Sequence, residues 1–146
     1  MKKAILPIVA AIALALGFSS CEHQTMETME VTIYPGNWVK PASANYYMAT
    51  VYWDELDEDV VDYGTVNAYL LDGGRQNLLP YVYPIDYSTY DENGNVIENI
   101  IVPENLRYDY RYGEITFILQ DLDGAMPEGM ESIPNMTFRV VSITSR

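Results

Sequence analysis

The sequence predicts an all-β fold: a single antiparallel β-sandwich, immunoglobulin-like or related, behind an N-terminal signal segment. Short runs rich in Val, Ile, Tyr and Thr recur at roughly 8–12-residue spacing, broken by Pro, Gly, Asn and Asp. Asn93-Gly94 lies between two of these runs, and Asn-Gly there is the strongest short-range hairpin signal because both residues tolerate positive φ. Helical patterning is nearly absent. Asp54 to Asp62 has room for a turn or two, but Val60 and Val61 are too few for an apolar face.

Taken in order, residues 21–28 are polar and unpatterned and read as a tether, with the domain spanning 29–146. Met29 to Tyr34 alternates, placing Val31 and Ile33 on one face, and Pro35-Gly36-Asn37 turns the chain. Tyr46 to Trp53 predicts a second strand. Thr65 to Leu71 predicts a third, ending at Asp72-Gly73-Gly74. Leu78 to Tyr83 is interrupted by Pro80, which suits an edge or irregular strand because proline lacks the ladder donor. Tyr90 to Val96 is a turn, with Asn95 to Val102 returning. Tyr108 to Tyr112 and Glu114 to Leu119 pair around Gly113, and Thr137 to Ile143 closes the domain.

Composition excludes several functions. The chain has 146 residues and a formal net charge of −13. Without residues 1–20 it keeps 126 residues and loses Lys2 and Lys3, leaving six Lys and Arg against 21 acids, a charge of −15. That size suits one domain with a real core. The charge repels phosphate backbones, so nucleic acid is not a partner. It also opposes lying on anionic lipid beyond an anchor. Burial must stabilise the domain, and its 13 tyrosines and two tryptophans supply the means.

The first 20 residues have their own logic. Lys2 and Lys3 precede an uncharged apolar run, Ala4 to Gly17, and Phe18-Ser19-Ser20 leads into Cys21. The run is about 14 residues; at about 1.5 Å per residue it is too short for a hydrocarbon core of about 30 Å, so it reads as a removable h-region. The segment resembles the signal peptides of bacterial lipoproteins. Phe18 stands where the usual pattern has Leu, and the Ser-Ser-Cys ending is similar to the looser Bacteroidota-type signals. The resemblance implies cleavage after Ser20, a diacylglyceryl group on Cys21, an outer-membrane lipid anchor and a place in the cell envelope. Two or more acyl chains hold where one does not. Glu22, followed by an acid only at Glu27, matches the surface-export pattern in part, leaving the periplasmic and surface sides both open. The stretches Asp59 to Leu70, Leu79-Pro80-Tyr81 and Phe138 to Ile143 resemble small cell-envelope lipoproteins of uncharacterised function in the same group, which offer no catalytic residues to transfer.

With Cys21 lipidated, the domain has no thiol for a disulfide, a nucleophile or a thiolate metal site. His23, the only histidine, is two residues from Cys21, where a tether cannot hold a general base in fixed geometry. No nucleophile elbow, phosphate loop or zinc cluster occurs, and no cofactor is implied. Asn135-Met136-Thr137 matches a glycosylation sequon by chance. The densest acidic run, Asp54 to Asp59 with Asp62 beyond, offers Asp54, Asp57 and Asp59 as weak calcium ligands, since hard cations want several oxygens; the bland reading is a solvated loop.

The tyrosines are the better candidates. In Arg107 to Tyr112 the period of two places Tyr108, Tyr110 and Tyr112 on one face and Arg107, Asp109 and Arg111 on the other. Tyr81 and Tyr83 share a face likewise. A half-exposed tyrosine face suits stacking against sugar rings or contact with a protein, against the alternative of ordinary sheet tyrosines. The expectation is a membrane-anchored, non-catalytic binding module for a glycan or envelope protein. A structural subunit of an envelope complex or appendage is the alternative, and a carboxylate-type glycoside hydrolase, needing two facing acids, the remote one.

Overall fold

The structure, a computed structural model, describes residues 23–122 and 133–145. Readings that fall on residues 1–20 and Cys21 lie outside it. Among the described residues, ten strands form two facing four-stranded sheets and a small two-stranded ribbon, all antiparallel, joined in part by a 3-10 turn at Pro35–Asn37 and one short α-helix. The fold is an all-β sandwich.

The first sheet has the order β1-β10-β3-β4, built from β1 (Gln24–Ile33), β10 (Met136–Ser145), β3 (Thr65–Asp72) and β4 (Arg75–Leu78). The second has the order β2-β9-β8-β5, from β2 (Tyr46–Tyr52), β9 (Glu114–Asp121), β8 (Ile101–Arg111) and β5 (Tyr81–Asp86). Their inner faces meet in a core where Phe117 of β9 stacks on Phe138 of β10 at 4.1 Å between ring centroids. Both rings are fully buried, and each such burial contributes roughly 1.5–3 kcal/mol.

The predicted tether is shorter than 21–28. Residues 24–28 belong to β1 and pair with Ser145 to Val141, their polar side chains exposed at the sheet edge. Cross-strand backbone bonding does not need an apolar pattern, so composition alone could not reveal it. Pro80 marks the corner where the chain leaves the first sheet after β4 and enters the second as β5, an edge strand.

Asp54 to Asp62 contains a single short helix, α1 (Glu58–Tyr63). The Asp57 carboxylate caps it, accepting from the Val60 N–H at 2.9 Å, and the Gly64 N–H closes it on the Val60 carbonyl. α1 joins β2 to β3 at one end of the sandwich, the base, together with Gln24, Ser145 and the turn at Tyr112-Gly113.

At the other, distal end β5 and β8 run on into β6 (Thr89–Tyr90) and β7 (Val96–Glu98). The turn between these strands is where Asn93-Gly94 was expected, but only Gly94 takes a positive φ, 82°. Its geometry is a three-residue loop, closed by Asp91 N–H to the Asn95 carbonyl at 2.8 Å, rather than a two-residue primed turn. The Asp91 carboxylate explains the preference. It accepts from the Asn93 and Asn95 N–H groups and from the Asn95 side-chain amide, holding the tip in an Asx-type turn.

Candidate functional site

The period of two in β8 is as read, but the tyrosine face points inward. Tyr108 and Tyr110 stack with centroids 6.4 Å apart and pack on the core, and the Tyr108 hydroxyl donates across the sandwich to the Val66 carbonyl of β3 at 2.6 Å. Burial raises the Tyr108 hydroxyl pKa. Tyr81 and Tyr83 also face the core side and are half-buried, Tyr83 titrating high through burial and the nearby Asp72 carboxylate. Tyr112 alone is exposed, at 73 %, beside Glu58, Val61 and Asp62 of α1 in a shallow recess of about 420 Å³. The structure therefore brings Tyr81, Tyr83, Tyr108 and Tyr110 against the core, where they form no common outward platform, although Tyr110 also reaches the groove described below. The inner face has room for large rings, and a carbonyl on the facing sheet satisfies the Tyr108 hydroxyl.

Asp57 is committed to capping α1. Among the described residues no three acidic, histidine or cysteine side chains converge to hold a metal ion, so Asp54, Asp57 and Asp59 do not assemble into a cation site.

Turning the tyrosines inward leaves the other face of the second sheet for recognition. Pairing of β2, β9 and β8 aligns its outward side chains in four rows: Tyr46–Gln120–Asn105, Met48–Ile118–Arg107, Thr50–Thr116–Asp109 and Tyr52–Glu114–Arg111. All of these except Asn105, Arg107 and Gln120, together with Tyr110, line an open groove of about 490 Å³. Ile118 forms an apolar floor, only 6 % exposed. The Thr50 and Thr116 hydroxyls bond at 2.9 Å. Arg111 pairs with Glu114, whose carboxylate raises the guanidinium pKa further. Tyr46 and Tyr52 stand at the two ends of β2, roughly 20 Å apart by strand rise, and Tyr52 is 78 % exposed. The groove thus offers a ring at each end, hydroxyls in the middle and a charged flank.

A second arrangement lies inside the distal end. Glu104 of β8 and Asp121 of β9 are directly opposed in register between the sheets, at 0 % and 3 % exposure. The Tyr87 hydroxyl donates to Glu104 Oε1 at 3.2 Å, while Oε2 has no hydrogen-bond partner among the described residues. Burial and then the Asp121 charge raise the Glu104 pKa to about 7, although the Tyr87 bond opposes them. Tyr87 is pushed far above its ordinary value by burial and by Glu104. Two facing carboxylates with one pKa raised are what a glycosidase needs, but Glu104 is fully enclosed and no substrate reaches it as it stands.

Both arrangements escaped a reading of the sequence. The groove residues alternate with Tyr47, Ala49 and Val51, and either set has the character of an inner face. For Glu104 a signal did exist, since it shares a period-two face with Val102 and Leu106.

The fold and groove place the chain in a broad class, small antiparallel β-sandwiches with an open outer sheet face. No protein-family model matches the chain, and neither a curated protein nor a solved structure matches it.

Proposed function

We propose that this protein is a cell-envelope lipoprotein, lipid-anchored to the outer membrane through Cys21, whose sandwich is a non-catalytic module that binds a glycan chain in the outer groove of β2, β9 and β8. The observation that carries this reading is the row order, with Tyr46 and Tyr52 bracketing the Thr50–Thr116 hydroxyl pair and the Arg111–Glu114 ion pair. A carbohydrate presents apolar C–H faces and a fringe of hydroxyls. Exposed tyrosine rings stack on the first, and threonine, carboxylate and guanidinium groups bond the second. The groove's length suits an oligosaccharide better than a single sugar. Its mixed charge favours a neutral chain over a polyanion, which the surrounding acids repel.

Glycan-array binding by the soluble chain from residue 22 onward tests this. Tyr52→Ala is expected to weaken binding about tenfold, in line with an anchor contact of 1–2 kcal/mol, while Tyr63→Ala, outside the groove, leaves it unchanged. A blank array, or equal loss in both variants, removes the glycan reading. Incorporation of labelled fatty acid into the full chain, lost in Cys21→Ser, checks the anchor.

A structural role in an envelope assembly is the second reading. It is favoured by the ten-residue strand β1, which forms an edge of the first sheet and offers a row of backbone groups for strand addition. Pull-down of an assembly that survives Tyr52→Ala and fails on proline substitution along β1 would move the weight there.

A further inference from the structure

The distal ribbon of β6 and β7 projects beyond both sheets. All of residues 89–99 are exposed, including Tyr90, Val96 and Ile97 at 54 %, 57 % and 69 %. The apolar surface continues onto the outer face of β5 and β8, where Val82, Pro84, Pro103 and Ile101 share one side by the period of two and are all exposed. Isolated surface aliphatics need no explanation, but a run of them along one arm and its root marks an interaction surface. The arm is also held in shape. Asp91 fixes its tip, Ser88 Oγ accepts from the Ile100 N–H, and the Asp86 carboxylate accepts from the Ser88 N–H at 2.8 Å. A preformed arm loses little conformational entropy when it docks.

Charge narrows the choice of occupant. From Gln76 to Leu106 the chain has no Lys or Arg, while Asp86, Asp91, Glu92 and Glu98 are all exposed around the arm. A second copy would set like charges face to face, and anionic lipid would be repelled. A glycan finds few flat rings here. At the arm's root Tyr83, Pro84, Ile85, Asp86 and Pro134 line a recess of about 220 Å³ with an acid at its edge, which fits the apolar stem and charged head of a lysine or arginine. Bonds from Ser88 and Tyr90 lower the Asp86 pKa, so the acid stays charged.

We infer that this arm and its root form a protein-docking surface for a partner segment carrying Lys or Arg beside apolar side chains, with one basic side chain seated in the Asp86 recess. The surface is separate from the groove, and either reading stands without the other. Pro84 removes a backbone donor on the β5 edge, so the contact rests on side chains more than on strand addition.

The test uses the full chain in the cell that makes it, with a photoreactive amino acid in place of Ile97 and, as control, in place of exposed Tyr63 at the base. Crosslinked peptides are sequenced by mass spectrometry. The expected result is a discrete partner peptide with Lys or Arg among apolar residues, obtained from position 97 and not from position 63. Asp86→Lys should lower its yield about tenfold or more, as like charges meet. Asp86→Asn, which keeps an acceptor for the Ser88 N–H, should lower it less. A crosslink to the same chain, to lipid or to glycan overturns the inference. So does a peptide without basic residues, the same product from position 63, a yield indifferent to both Asp86 variants, or no crosslink at all.

Discussion

Glu104 occupies a position that Val102 and Leu106 mark for hydrocarbon, and it titrates accordingly. Its folded pKa, about 7, lies above the ordinary 4.5. A carboxyl raised in this way contributes its full share of stability below about pH 4.5, where it is protonated in both states. That share is lost as pH rises through about 7, because the unfolded chain ionises more readily. The shift corresponds to roughly 3 kcal/mol. Urea unfolding should therefore show the domain weaker at pH 8 than at pH 5, and Glu104→Gln, which can still accept from Tyr87, should remove most of the difference. An unchanged pH slope in the variant would mean that Glu104 is not the titrating group. Tyr108→Phe tests the crossing bond to the Val66 carbonyl. It should cost about 1 kcal/mol by chemical denaturation, and a neutral result would imply that water replaces the hydroxyl.

Among the elements, α1 is the most tightly constrained by backbone. A Cβ on Gly64 would lie 2.7 Å from the Val60 carbonyl oxygen and 2.8 Å from that of Ile143. Neither atom is the end of a flexible side chain, so Gly64→Ala must push helix and β10 apart. About 1–3 kcal/mol of lost stability is expected, read as a lower thermal midpoint; a midpoint equal to that of the parent would show that the helix swings aside freely. The elements also show what the sequence made legible. Strand existence followed from runs of Val, Ile, Tyr and Thr, and the turns from Gly73-Gly74, Gly94 and Gly113, all of which adopt positive φ. Which way a strand faces was not available where both faces are amphipathic. Tyr108 and Tyr110 fit a wet surface or a dry interior equally well, and for Tyr108 the facing carbonyl on β3 decides. The groove was illegible for the same reason, and because its rows bring β2 alongside β9, more than sixty residues further along the chain.

The whole molecule combines a small apolar core with a strongly acidic surface. Two ion pairs, Arg111–Glu114 and Arg139–Glu30, lie on the surface, and exposed pairs of this kind contribute little. Self-repulsion is consequently a property of the entire domain. Raising sodium chloride from about 0.01 M to about 1 M shortens the screening length from about 30 Å to about 3 Å and should lift the thermal midpoint by a few degrees. A falling midpoint would show that the ion pairs matter more than the net charge. At this scale composition was informative early, because charge and size are sums that need no knowledge of which residues meet.

The long pairing of β1 with β10 has a mechanical consequence. Tension applied to the chain ahead of Gln24 enters at the base and runs along the axis of β1, so it loads the register pairs from Gln24–Ser145 to Ile33–Met136 together, in shear. Peeling a strand breaks its bonds one after another, whereas shearing requires many to fail at once. A domain held from its N-terminus and tugged through whatever it has captured would meet that force along its strongest direction.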